Sequence, residues 1–311
     1  MNFAQPVRSL EWQGTSGDAP TSMHRRLVRH AFVPLYLAAG VGVLAYRDAL
    51  GAWMRMDGAT VGFFLLILGL QVAEKLAPAE DGWNYNLVTS PQRGWAELGR
   101  DLLYLFVITQ ISALLVTLAS RKLTSWIPPG HLWPSHAPAP LRLLLAFTVA
   151  ELFNYLFHVA AHRVPLLWRF HATHHAVTSL TALKALRTHP LDNLGFHLVR
   201  SLPLLALGAS SEELSGAVYL GGMLGLLSHS NLDAAPGPLG WFINFPRYHA
   251  VHHAADLSTS RHNYGCHTVL FDRLFGTFRD GQLPPFPLGL QPPGARSAWH
   301  ELIRPLYGPP A

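Results

Sequence analysis

Long apolar runs separated by short polar breaks dominate the first half of the chain. Four stretches, residues 28–46, 60–77, 102–119 and 141–161, approach the roughly 20 mostly apolar residues that a bilayer-spanning helix needs. Two more, 194–209 and 214–231, flank the polar Ser210-Ser211-Glu212-Glu213. Arg200 and Pro203 interrupt the first of these and the second is short, so the pattern allows a shallow, partly inserted hairpin or two full crossings. Residues 1–22 are polar, carry Pro6, Gly14, Gly17 and Pro20, and lack the apolar core of a signal peptide; they read as a tail. Residues 233–246 read as a loop, and the Pro-rich stretch 282–311 as irregular chain over the same face. The pattern predicts an all-α integral membrane protein. About four transmembrane helices and a short apolar helical hairpin support a cytoplasmic helical cap. The divisions are a tail (1–22), N-terminal membrane helices (23–140), a histidine-bearing domain (141–281) and a C-terminal tail (282–311).

Composition agrees. Half of the 311 residues are apolar and 13% are charged, against about a quarter in soluble proteins. Arg25, Arg26 and Arg29 precede the first run, which puts the N-terminus in the cytoplasm. Four crossings return the chain to that side just before Arg163, Arg169, Lys184 and Arg187. Arg47, Arg55, Arg121 and Lys122 fall in the outer loops and weaken the bias without reversing it. The net charge of +5 is too modest and too scattered for a nucleic-acid face. A single cysteine, Cys266, excludes a disulfide framework or a thiolate metal cage.

Eighteen histidines change the picture. His158 and His162 stand four apart at the end of the fourth apolar run, on one helix face. His171, His174 and His175 are followed much later by the same spacing in His249, His252 and His253. Adjacent residues point about 100° apart on a helix, so each His-His pair can serve two ions. Imidazole suits iron, zinc, copper and nickel, and ionisable groups at membrane depth are functional by default. His229, closing an apolar run, and His189, in a loop before Pro190, join these eight as expected metal ligands. His262, beside Asn263-Tyr264-Gly265, is not expected to bind metal. His24, His30, His131, His136, His197, His267 and His300 read as interfacial or surface residues. Metal-bound imidazoles need partners that fix ring orientation, and Asn154, Asp192, Asn231, Asp256 and Asp272 qualify by position.

With these residues in view, the chain resembles the fatty acid hydroxylase/sterol desaturase superfamily. The resemblance rests on Leu167-Trp168-Arg169-Phe170-His171-Ala172-Thr173-His174-His175, His189-Pro190-Leu191, His229-Ser230-Asn231, His249-Ala250-Val251-His252-His253, Asn263-Tyr264-Gly265 and Asp272-Arg273-Leu274-Phe275-Gly276-Thr277-Phe278. It covers residues 151–279; Phe271, where relatives often carry Trp, is a minor departure. The resemblance implies a membrane di-iron oxygenase that uses O2 and two electrons to attack an unactivated C–H bond of a lipid. Two iron ions are then the cofactors, with zinc able to replace them in purified material. Its products would be a hydroxylated acyl chain, a hydroxylated or desaturated sterol-like lipid, a hydroxylated carotenoid or a cleaved ether lipid.

No flavin or nicotinamide fingerprint is present, and the polar tail is too short for a cytochrome domain. A cytochrome b5-like protein or ferredoxin is therefore the expected electron donor. No protein acid or base is required. The composition, rich in Ala, Leu, Arg and Gly, suits a bacterial inner membrane. The competing reading is a membrane metal-binding or metal-transport protein, for which ligands should be spread along a path through several helices.

Overall fold

The computed structural model describes residues 22–127, 130–281, 287–290 and 297–307. All but the last residue of the expected N-terminal tail, and residues 282–286, 291–296 and 308–311 of the expected C-terminal tail, lie outside them. Every regular element among the described residues is helical.

Helix α1 (Met23–Met54) ends at Arg55 in the left-handed conformation, and α2 (Gly58–Leu76) starts on Asp57, whose carboxylate accepts from Thr60 N at 2.7 Å. Asp57 is thus an N-cap that satisfies a helix-end N–H. α3 (Pro91–Leu103), a π-helical turn (Tyr104–Ile108) and α4 (Thr109–Thr124) make one rod. α5 (Ala139–Arg163) leads through Val164 into α6 (Pro165–His175), with proline at the first helical position, where its missing N–H costs nothing. α7 (Pro190–Leu207) and α8 (Ser211–His229) form the hairpin. After α8 come the short helices α9 (Pro246–His252), α10 (Leu257–Ser260) and α11 (Leu270–Phe275).

Four helical stretches are long and apolar enough to cross a membrane: Met23–Met54, Gly58–Leu76, Pro91–Leu123 and Ala139–Arg163. Most of each stretch faces outward, and Leu35, Leu68, Leu114 and Leu144 are well exposed. A bilayer, as apolar as the protein interior, satisfies such faces. The chain is a membrane protein.

Contacts at the two ends of the bundle fix the direction of each helix. Arg29, early in α1, pairs with Asp233 just after α8 at 3.3 Å, and Asp233 N donates to Ala77 O at the end of α2 at 3.0 Å. At the other end Arg47 of α1 pairs with Glu212 at 2.6 Å, and Arg142, early in α5, pairs with Glu213. The turn between α7 and α8 therefore lies level with the start of α5. α7 and α8 form a hairpin packed along α5 inside the bundle, about 27 Å long for the 18 residues of α7, and neither is among the four stretches long and apolar enough to cross a membrane. A capping box, Ser210 with Glu213, starts the return helix.

The C-terminal stretch departs from expectation. Where Pro-rich composition predicts irregular chain, residues 298–307 form a helix, α12 (Ala298–Tyr307). The reason is a buried ion cluster that composition does not reveal. Glu301, 3% exposed, accepts from Arg187 Nη2 at 2.5 Å and Tyr104 Oη at 2.9 Å, and Thr173 Oγ1 donates to its carbonyl at 3.1 Å. Tyr104 opens the π-helical turn, and such turns often mark functional places.

Candidate metal centre

Four elements end at one depth and deliver histidines there: the last turns of α5 and α6, the final residue of α8, and α9 with the residue after it. Nine of the ten expected ligands converge in two groups. His158, His162, His171, His175 and His252 form one; His174, His229, His249 and His253 form the other. Within each group the ligand nitrogens lie within 4.8 Å of one another. All nine are buried except His162, which is partly so. Each adjacent pair splits as helix geometry dictates, His174 from His175 and His252 from His253. The groups adjoin where the rings of His175 and His253 stack at 4.6 Å.

The partners of the outer ring nitrogens decide what the inner ones can do. His158 Nδ1 donates to Tyr264 O at 2.6 Å, His252 Nδ1 to His262 O at 2.9 Å, and His171 Nδ1 to the Asp192 carboxylate at 3.0 Å. In the second group His229 Nδ1 donates to Gly225 O at 2.8 Å and His174 Nδ1 to Arg187 O at 3.3 Å. Carbonyl and carboxylate oxygens only accept, so the proton sits on Nδ1 of each ring, which leaves Nε2, in the ligating form, with a bare lone pair. Yet Nε2 of His158 stands 2.9 Å from Nε2 of both His171 and His252, and Nε2 of His174 stands 3.0 Å from that of His229. No proton lies between such pairs. A cation is what would let lone pairs converge so closely. Nitrogens bound at about 2.1 Å and at right angles would themselves sit about 3 Å apart. The donor set fits a metal at each group.

Electrostatics keeps the rings ready. Burial first, then neighbouring imidazoles, hold His174, His175, His249 and His253 well below the ordinary histidine pKa. These rings are neutral at pH 7, the form that binds metals.

The tenth expected ligand, His189, is not brought to either group. It caps α7, its Nδ1 accepting from Leu191 N at 3.1 Å and its Nε2 donating to Leu302 O of α12 at 3.0 Å. Of the five expected supporting residues, Asp192 touches a ligand directly. Asp272 acts one step back. It accepts from Tyr264 N and Gly265 N, both at 2.7 Å, and so fixes the loop whose carbonyl holds His158. A Cβ on Gly265 would collide with the Thr268 carbonyl, which accounts for glycine there. Asn231 holds Glu80 instead, Asp256 caps α10 at the surface, and Asn154 hydrogen-bonds Glu151.

Two histidines read from sequence as interfacial or surface residues are placed inside. His267 bonds Glu151 at 2.5 Å, and the Nδ1 of His197 accepts from Arg200 at 2.7 Å. Their partners, a carboxylate and a guanidinium on apolar helices, were the available signal. His267 and Arg200 line a cavity of about 250 Å³ beside both groups, whose wall includes His158, His171, His174, His229 and His249.

Comparison with known proteins agrees with this geometry. Residues 143–277 match the fatty acid hydroxylase family. The chain is 30% identical over 264 residues to an ornithine lipid hydroxylase of Rhizobium tropici, covering 82% of this chain and 75% of that one. It is 27% identical over 165 residues to the alkylglycerol monooxygenase of Homo sapiens, covering 51% of this chain and 36% of that one. With a Delta(7)-sterol-C5(6)-desaturase of Nicotiana tabacum the identity is 28% over 136 residues, 42% of this chain and 47% of that one. No solved structure matches. The histidine spacing, the convergence of the rings and the long match together establish that the chain belongs to the fatty acid hydroxylase/sterol desaturase family.

Proposed function

We propose that the protein is a membrane di-iron oxygenase that uses O2 and two electrons to hydroxylate, or desaturate, a C–H bond of a lipid. The observation that carries this reading is the meeting of unprotonated Nε2 atoms at 2.9–3.0 Å in two adjoining groups. Iron rather than zinc follows from the relatives, whose named activities are oxidations, because zinc has no redox chemistry. His158, His162, His171, His175 and His252 would hold one ion and His174, His229, His249 and His253 the other. Bound iron would supply O2 activation and attack on carbon.

The chain's own residues hold and orient. Carbonyls of Tyr264, His262, Gly225 and Arg187, with Asp192, keep the five rings in the ligating tautomer. Phe196 packs against His158 at 5.5 Å and His171 at 5.8 Å on the cavity side, supplying a carbon wall for a lipid. The electron donor, cytochrome b5-like or a ferredoxin, would dock on the basic histidine end near Arg163 and Arg169. There Trp168 contacts the His162 ring at 5.1 Å. That end faces the cytoplasm by the charge of Arg25, Arg26 and Arg29, in a bacterial inner membrane. Nine rings gathered at one depth support this reading over ligands spread along a transport path.

The test is the metal content of detergent-purified protein from iron-replete cells, measured by elemental mass spectrometry with Mössbauer spectroscopy. We expect about two coupled irons per chain, lost in His174→Ala and His252→Ala. One ion or none, unchanged in His174→Ala, would move the weight to metal binding or transport.

A further inference from the structure

The cavity beside the histidine groups is not a plain hydrocarbon slot. Arg200 lies on its wall, in the apolar helix α7. Its Nε is shut off from solvent and has no hydrogen-bond partner among the described residues. Among the described residues the guanidinium makes one polar contact, from Nη2 to His197 Nδ1 at 2.7 Å, and no carboxylate lies within ion-pair distance. Glu151 feels its charge but is committed elsewhere, to His267 Nδ1 at 2.5 Å, Thr268 N at 3.2 Å and Asn154 Nδ2 at 3.4 Å. A largely buried arginine without a counter-charge at hand is expensive.

A second orphan lies on the same wall. Asn154, 2% exposed, turns its amide nitrogen to Glu151, which can only accept. Its Oδ1 therefore remains an acceptor, buried and without a partner. Helix geometry places both residues below the metal centre. Asn154 is one turn before His158 on α5. Arg200 is eight residues, about 12 Å, beyond Asp192 on α7, past Phe196. A largely buried cation and a buried acceptor thus share one cavity with histidines of both groups, and the Nε of one and the Oδ1 of the other have no partner among the described residues.

We propose that Arg200 and Asn154 anchor the anionic end of the lipid substrate in this cavity, Arg200 taking a carboxylate or phosphate oxygen and Asn154 a neighbouring O–H or N–H. The substrate is then an anionic amphiphile with its charged end inside the enzyme. The oxidised carbon lies near that polar end rather than far along an acyl chain. This rests on the reading of the histidine groups as the oxidising centre.

The test uses iron-loaded, detergent-purified protein and three amphiphiles of one chain length: oleate, oleyl phosphate and oleyl alcohol, each measured by displacement of a fluorescent fatty acid. Acetate and inorganic phosphate serve as the small anions. Wild-type protein should bind one or both anionic amphiphiles at least about tenfold more tightly than the alcohol, the size of a buried charge-assisted hydrogen bond. The preferred anion identifies carboxylate or phosphate as the group. Arg200→Gln should abolish the preference while leaving alcohol binding within about twofold. Arg200→Lys, which keeps the charge, should retain part of it. If Arg200→Gln does not fold, the wild-type preference and its partial survival in Arg200→Lys decide.

Equal binding of anion and alcohol by the wild type, equal weakening of both in Arg200→Gln, or displacement by acetate or phosphate as strong as by the amphiphiles would each overturn the anchor. Iron is measured on the same samples to keep the two readings apart. Two irons without anion preference would sink the anchor alone. Anion preference without iron would sink the oxygenase reading and leave a lipid-binding cavity.

Discussion

The centre depends less on the histidines as a set than on what each outer nitrogen touches. Asp192 shows this best: its carboxylate holds His171 Nδ1 at 3.0 Å, and Asp192 itself is 4% exposed. Removing its charge while keeping its shape leaves a weaker, uncharged acceptor. Asp192→Asn should therefore lower iron affinity by roughly 10- to 100-fold, the usual cost of losing such a partner, measured by competition with a chelator. Unchanged affinity would mean that the ring is held by packing alone. His189 offers the converse. It caps α7 and bonds Leu302 O, so His189→Ala should keep full iron and lose about 1 kcal/mol of stability. Iron loss in that variant would restore it to the ligand set. The histidines were legible in the sequence because ligand spacing is a side-chain pattern. The carbonyls of Tyr264, His262, Gly225 and Arg187 were not, because every residue carries a carbonyl and only the fold selects which ones face a ring.

Among elements, the four long apolar helices were readable from length and hydropathy, since a bilayer imposes both. The course of α7 and α8 was not: Arg200 and Pro203 look like interruptions until Arg200 is seen on a cavity wall and Glu212 and Glu213 reach arginines at the far end of the bundle. α12 was illegible for a different reason. Its anchor is Glu301, whose partners Arg187 and Tyr104 are more than a hundred residues away. Arg187 is 2% exposed and its carbonyl receives His174 Nδ1, so the cluster and the centre share a residue. Glu301→Ala would leave Arg187 short of its closest carboxylate, with Asp101 and Glu97 at 3.6 and 3.4 Å. We expect a loss of about 3 kcal/mol, in the range for breaking a buried pair, and weaker iron binding in the same variant. A thermal melt and a chelator titration read the two effects. Loss of stability with iron affinity intact would show that α12 is a clamp on the fold and not on the centre.

At the scale of the whole molecule, the nine rings come from elements spread between residues 158 and 253, while the α1–α2 hairpin contributes none. The hairpin shares an apolar core with α8, in which Leu70, Leu226 and Leu227 are fully buried and to which Leu183, Phe245 and Tyr248 also belong, and Tyr36 Oη donates to Met223 O at 2.8 Å. The segment from α9 to α11 has short helices, and His252 of α9 faces His158 of α5 with like lone pairs at 2.9 Å. Iron should act as a cross-link between α5, α6, α8 and α9, and the hairpin, which contributes no ligand, should be the least affected. A ligand at a hundredfold excess over its dissociation constant adds about 2.7 kcal/mol per bound ion, so stripping iron with a chelator should lower the melting temperature by several degrees. The loss should also be local. Hydrogen exchange should speed up in α6, α9 and the 262–265 loop, whose carbonyls hold His252 and His158, and stay as it was through α2. Trp168, against His162 and His175, gives a second readout, its emission quenched on iron binding and restored on removal. Faster exchange throughout the bundle would mean that the metal supports the whole fold. No change anywhere would mean that the rings do not hold the ion.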